Sequence, residues 1–214
     1  MTTASQVQNF NDPIAANPHQ RGAGQINPSK ALEPGLIYDA GPADYERYVC
    51  AATDPKAYST SWLVENDYEA PKRPLFCSTS LCRGGQCSYP QALRDFNTPS
   101  FSMPGLSPAA AGVAKRTVTY LAAGPAVFTA TLQLPSGYTG KWDIDPKANR
   151  RGQVSRTQLQ FAKKGEKRQF TLSITAGADA PVGTWVYGNL TWKDEGGRYV
   201  VYSPIAVQRA GPAR

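Results

Sequence analysis

Histidine is almost missing from this sequence: His19 is the only one in 214 residues. A Ser-His-Asp triad needs an imidazole in contact with its nucleophile. Any triad built within the chain would therefore run through His19, which lies in an Asn/Pro/Gly-rich stretch with no nucleophile motif beside it. GxSxG, P-loop, HExxH and CxxC patterns are all absent. No run of 18 apolar residues occurs, so no transmembrane helix is expected. The first 25 residues lack the apolar stretch of a secretory signal. Long helices are also disfavoured, because Gly 19 and Pro 18 punctuate the chain throughout. These absences argue against a self-contained enzyme; no cofactor and no metal are expected.

What is present is an uneven charge. Residues 1–96 carry 8 Lys+Arg against 10 Asp+Glu, whereas residues 97–214 carry 15 against 6. The formal net charge of +7 thus resides in the C-terminal half. Its cations gather in two places, Lys147, Arg150, Arg151 and Arg156, then Lys163, Lys164, Lys167 and Arg168. One reading is a basic face for a polyanion such as an acidic polysaccharide. The plainer reading is solvated loops and strand ends, and the lack of interleaved aromatic residues favours it and speaks against nucleic acid.

The four cysteines are Cys50, Cys77, Cys82 and Cys87. An even number, with three packed into CSTSLCRGGQC, suits two disulfides in an oxidising compartment. Three pairings are possible and the spacing does not choose among them. Zinc sites favour C-x2-C or a nearby His, and the C-x4-C-x4-C spacing offers neither. Reduced thiols are the remaining alternative. One glycosylation sequon, Asn189-Leu190-Thr191, would matter in a secreted chain.

Along the chain, residues 1–26 show no periodicity. Asn27-Pro28 then supplies an N-cap followed by a residue preorganised for the first helical position. Glu33-Pro34-Gly35 stops that turn, and a short extended piece, Leu36-Ile37-Tyr38, follows. Gly41-Pro42-Ala43-Asp44 repeats the helix-start signal, and Tyr45, Tyr48 and Val49 fall on one helical face. Residues 51–94 form a polar connector. From about residue 115 the period changes to two. Phe128, Ala130, Leu132 and Leu134 alternate with polar residues, as do Leu159 and Phe161, then Phe170, Leu172 and Ile174, then Val186, Gly188, Leu190 and Trp192. Further strands are expected over 115–121, 138–144 and 199–207. About seven short strands separated by Gly/Pro turns imply a mainly β chain, an immunoglobulin-like or fibronectin-III-like seven-stranded β-sandwich. Leu190 and Trp192 fall on its inward set and Asn189 on its outward set.

Particular segments resemble a known family. Met1-Thr2-Thr3-Ala4, Asp12-Pro13-Ile14, the run Gly22–Pro28 and the run Ala31–Asp39 resemble the end of the catalytic domain of plant-type subtilisin-like serine proteases. Asp44-Tyr45 and Cys50 are similar to that family's following helix and its cysteine. The run Asp95–Phe101 resembles the start of the family's fibronectin-III-like domain. Arg116–Thr119, Gly188–Trp192 and Ser203–Val207 resemble its later strands. The chain departs at Gln25, Glu33 and Thr98, where the family usually has His, Asp and Tyr; none of these is catalytic.

The resemblance implies a division into residues 1–39, a remnant of the end of a catalytic domain; residues 40–94, a helical and cysteine-rich connector; and residues 95–214, the sandwich. It implies a secreted serine endopeptidase whose catalytic Asp, His and Ser, and oxyanion Asn, all lie upstream of the segment matching Met1. No catalytic residue carries over, so this chain is expected to be inactive alone. Its expected role is to pack against a subtilisin-like catalytic domain, in cis or in trans, stabilising it and shaping substrate access. The competing expectation is a free-standing secreted binding module using Lys147, Arg150, Arg151 and Arg156 against a polyanion. An extracellular or cell-wall location follows from the family alone. Ile26, Leu32, Leu36 and Ile37 are expected to lack burial partners on an isolated chain, leaving residues 1–39 either poorly ordered or docked on the sandwich.

Overall fold

The computed structural model describes residues 2–5, 17–45, 48, 93–144 and 157–211. By internal contacts the chain forms two compact units, one made of residues 1–39 with 98–214 and the other of residues 40–97.

The first unit is a sandwich of two sheets. One has four strands in the order β1-β3-β7-β5, with β1 Leu36–Ile37, β3 Gly112–Tyr120, β7 Lys167–Ala176 and β5 Tyr138–Asp143. The other has five in the order β2-β9-β8-β4-β6, with β2 Phe101–Leu106, β9 Val200–Arg209, β8 Trp185–Asp194, β4 Ala126–Gln133 and β6 Gln158–Phe161. All pairings are antiparallel except β2 with β9, which is parallel from Phe101 opposite Ile205 onward. Pro204 has no N–H to give a ladder, and the parallel pairing begins one residue beyond it.

The period-two pattern produces this architecture directly. Strand β7 alternates buried and half-buried along nearly its whole length, with Arg168, Phe170, Leu172, Ile174 and Ala176 all inward. Phe128, Leu159, Leu172, Ile174, Leu190 and Trp192 are fully buried, as the alternation predicts. Trp192 anchors the core, with Trp142 at 5.0 Å and Phe170 at 5.1 Å between ring centroids, both edge-to-face. A second aromatic group, Tyr120, Phe128 and Phe161, fills the same core.

The described residues hold two strands beyond the seven that alternation marks. Strand β2 carries Pro104 and Gly105, which break the pattern and leave its pairing with β9 shifted between Met103 and Leu106. Strand β1 has only two residues, too short for any periodicity to register.

Among the described residues, two helical turns precede β1. In α1, Pro18–Arg21, the Asn17 side chain accepts from the His19 and Gln20 amides while Gln20 reaches back to the Asn17 amide, a complete capping box. In α2, Pro28–Ala31, Asn27 caps the Lys30 amide as its Asn-Pro signal predicts. In the second unit, the Gly41 amide donates to Asp44 Oδ2 at 2.9 Å at the start of the turn over residues 42–45. Tyr45 and Tyr48 both rest on Phe96, at 5.1 and 4.7 Å.

Candidate functional site

The candidate surface is the arm formed by residues 17–39, because that arm meets both sheets. Its last part enters the fold through the backbone: Leu36 pairs with Tyr120 and Ile37 with Thr119, which makes β1 an edge strand. Leu36 is fully buried in the common core. Tyr38 then reaches Ser203 of β9, with the two hydroxyls 3.1 Å apart. Burial pushes the Tyr38 phenol up to about 12, although the Ser203 hydroxyl pulls it the other way. Asp39 accepts from the Thr119 hydroxyl at 2.6 Å and meets Lys167 Nζ at 3.1 Å. Thr119 and Lys167 are themselves cross-strand partners. The Thr119 hydrogen bond, followed by Lys167, holds the Asp39 carboxyl below its ordinary value, against the upward pull of partial burial.

The earlier part of the arm lies on the outer face of the five-stranded sheet and is held by side chains. The His19 ring sits edge-on to Trp185 at 5.1 Å and to Tyr187 at 5.3 Å, with Nδ1 3.1 Å from the Tyr187 hydroxyl. Arg21 Nη2 donates to the Tyr202 hydroxyl at 3.3 Å, and its guanidinium lies over that ring. His19 is thus a clasp on two strand aromatics. A bridge between Ser5 and Gln25 ties the start of the described chain to this stretch. Ile26 and Leu32, by contrast, stand 80% and 86% exposed. The expectation for the arm's apolar residues is therefore met at Ile26 and Leu32 and reversed at Leu36, which finds its burial within this chain.

Between α2 and β1 the arm borders a cleft of about 400 Å3. Leu32–Gly35 form one wall; Leu121–Ala123, Lys164, Arg198 and Tyr199, from three strand-connecting turns, form the rest. Arg198 pairs with Glu33 across it. Gly35 has φ +70°, and a Cβ there would lie 2.7 Å from the Tyr199 ring, so this approach admits only glycine.

The second cationic cluster divides on folding. Lys163 and Lys164 are exposed. Lys167 pairs with Asp39, and Arg168 is buried, bonded to Glu166 and stacked on Phe161. Arg168 is thus a structural cation and not part of a solvated loop: it falls on the inward set of β7, where the carboxylate of Glu166 compensates it. Arg116, also buried, binds the carbonyls of Thr98 and Ser100 at 2.8 and 3.0 Å and fixes the entry to β2.

Lys147, Arg150, Arg151 and Arg156 lie outside the described residues, as do Cys50, Cys77, Cys82 and Cys87. Asn189 lies on the outward set of β8, half-buried; its Nδ2 donates to Gln133 Oε1 at 2.9 Å and its Oδ1 accepts from Thr191. The α1 clasp escaped sequence reasoning. Its signal was available, since Asn17-Pro18 with Gln20 three residues after Asn17 repeats the N-cap and proline of Asn27-Pro28.

Residues 95–207 match a family model described as a fibronectin type-III domain. The chain is 32% identical over 216 residues to subtilisin-like protease SBT3 of Solanum lycopersicum, covering 96% of this chain and 24% of that protein. It is 32% identical over 215 residues to subtilisin-like protease SBT5.4 of Arabidopsis thaliana, covering 97% and 23%. A subtilisin-like protease of Glycine max matches at 30% identity, covering 98% and 23%. The chain thus spans about a quarter of the length of the curated relatives it matches. Among solved structures, a secreted serine protease, VesC from Vibrio cholerae, aligns with a TM-score of 0.35 at 13% identity, over 53% of this chain and 22% of that one.

Proposed function

The chain belongs to the fibronectin type-III family in the form found in the C-terminal region of plant subtilisin-like proteases, and from that premise we propose that it is the non-catalytic scaffold of a serine endopeptidase. It stabilises the protease domain and shapes the approach of substrate; the peptide-bond chemistry belongs to that domain. The observation that carries this reading is the split character of the arm. Residues 36–39 are built into the sandwich, while Ile26 and Leu32 point large apolar side chains at solvent. Two such side chains on one short arm, ahead of a strand locked into a sheet, suit a partner that covers them. The relatives are about fourfold longer than this chain, and a protease domain is the body the reading places there.

In this reading residues 1–39 belong to the boundary of the protease domain, residues 40–94 form a connector, and residues 95–214 form the scaffold. The protein works outside the cell. There its four cysteines form two disulfides, and Asn189, on the outer face of β8, carries a glycan.

The test is complementation in trans. The chain is mixed with a subtilisin-like catalytic domain produced without its own fibronectin domain, and binding and the thermal midpoint of the mixture are measured. A complex is expected, with a raised midpoint, and it is lost in the double variant Ile26→Asp with Leu32→Asp. Wild-type chain that neither binds nor stabilises the catalytic domain overturns the reading. Salt-sensitive binding to an acidic polysaccharide, lost on neutralising Arg150, Arg151 and Arg156, would instead favour a free-standing module.

A further inference from the structure

We infer that the cleft between the arm and the strand-connecting turns is a binding site for a small carboxylate, borne on a body the size of one sugar ring or one peptide residue. Its volume of about 400 Å3 falls in the range of small-ligand sites. Its lining has two characters. Leu32, Pro34, Leu121 and Ala122 give apolar surface, and Lys164 and Arg198 bring positive charge to the same space.

The charges do not cancel internally. Among the described residues, Glu33 is the one acidic residue in the lining, and it is held by Arg198 Nη2. That bond uses one of the five donors of a guanidinium. Lys164 has no hydrogen bond or ion pair among the described residues. An incoming carboxylate therefore finds a free ammonium and the remaining donors of a guanidinium, two cationic groups that make charge-assisted hydrogen bonds to carboxylates. Arg198 is further oriented by lying 5.2 Å over the Tyr199 ring.

The walls are set before any ligand arrives. The Gly35 carbonyl accepts from the Leu121 amide at 2.8 Å, which fixes the arm against the β3–β4 turn. The Tyr120 carbonyl accepts from the Gly165 amide at 2.7 Å, fixing the turn that carries Lys164. The Tyr199 amide donates to Asp194 Oδ1 at 2.6 Å, fixing the turn that carries Arg198. Three turns and the arm are each pinned by a hydrogen bond, two between backbone groups and one from a backbone amide to a carboxylate, so little ordering cost remains for binding. The site also joins residues that linear charge clustering keeps apart: Lys164 comes from the second basic cluster and Arg198 from a different turn.

The experiment is an amide-resolved NMR titration of the full chain at low ionic strength. The probes are sodium glucuronate and acetyl-Leu-Ala as the free acid; the controls are glucose and acetyl-Leu-Ala amide. Saturable shifts at Gly35, Leu121 and Lys164 are expected with an acid probe and not with its neutral control. Lys164→Gln is expected to weaken binding by about three- to fivefold, while Lys163→Gln, the same charge change at a neighbour that does not line the cleft, changes it less than about twofold. A response to glucuronate alone assigns an acidic sugar, and a response to the peptide acid alone assigns a chain terminus. Equal losses in the two lysine variants, equal binding of the neutral probes, or no saturation by either acid would overturn the assignment. The cleft shares Leu32 with the surface proposed to face the protease domain, and the titration, run on this chain without that domain, tests the cleft apart from it.

Discussion

Leu32 and Leu36 are the same side chain four residues apart on one arm, yet one is 86% exposed and the other fully buried. The difference lies in how the backbone is held. At Leu36 the chain has joined a sheet, so its side chain is aimed by the ladder into the space between two layers. At Leu32 the chain has just left a one-turn helix whose described residues are all exposed, and nothing aims the side chain inward. Burial here follows pairing, not hydrophobicity. Two leucines of equal apolar content therefore end in opposite places: one inside the core, the other in solvent.

The sharpest way to break this comparison is to truncate both. Leu36→Ala should cost about 2–5 kcal/mol, because it opens a cavity in a packed core, whereas Leu32→Ala should stay within about 0.5 kcal/mol. Equilibrium denaturation of the two variants checks this, and equal costs would deny that β1 belongs to the folding unit. Next comes the hinge between them. Gly35→Ala combines a positive φ with a Cβ driven into the Tyr199 ring, and a loss of about 1–3 kcal/mol is expected from the same denaturation experiment.

The residues following β1 respond to pH in opposite ways. A phenol raised in the fold keeps its proton longer than it would in the unfolded chain. Its stabilisation is therefore complete below the ordinary value of 10.0 and drains away as pH climbs to about 12. A depressed carboxyl does the reverse: the Asp39 contribution is present above the ordinary 3.8 and is lost as pH falls through its lowered folded value. Thermal midpoints measured against pH should show the alkaline fall softened in Tyr38→Phe and the acid fall softened in Asp39→Asn. The Tyr38→Phe variant should also lose about 1 kcal/mol at neutral pH, through the hydroxyl that faces Ser203.

The smallest effect belongs to the arm's earlier half. His19→Ala should cost less than about 1 kcal/mol globally, because the clasp is made of edge contacts on an outer face. Amide exchange over residues 19–22 should nevertheless accelerate while the sheet amides stay protected. If sheet protection fell with it, the outer clasp would be part of the core after all.

The sandwich was legible because a buried face forces alternation over five or more residues, as in the Phe170–Ile174 and Val186–Trp192 runs. Strands β1 and β2 were not legible as strands from pattern alone. The first is shorter than one period of evidence, and the second is interrupted by Pro104 and Gly105. Helix α2 was visible through Asn27-Pro28, whereas α1, with the same device at Asn17-Pro18, was hidden by the absence of any apolar stripe around it. Charge clustering along the chain was the least faithful guide. It grouped Arg168 with Lys164, but strand alternation turns the first inward to Glu166 and leaves the second facing a cleft with Arg198. Spacing in sequence says which cations are near in the chain; only the turns say which are near in space.

The parallel pairing of β2 with β9 has a mechanical consequence. Among the described residues, these two strands are the first and last within 98–214 and run side by side in the same direction. Tension applied through the two ends of that span pulls the strands along their length in opposite senses. The hydrogen bonds between them are then loaded in shear and must give way together, instead of opening one at a time from an end. A domain tied off in this way resists pulling along the chain better than its equilibrium stability alone would indicate, because rupture under load follows the unfolding barrier and not the folding free energy.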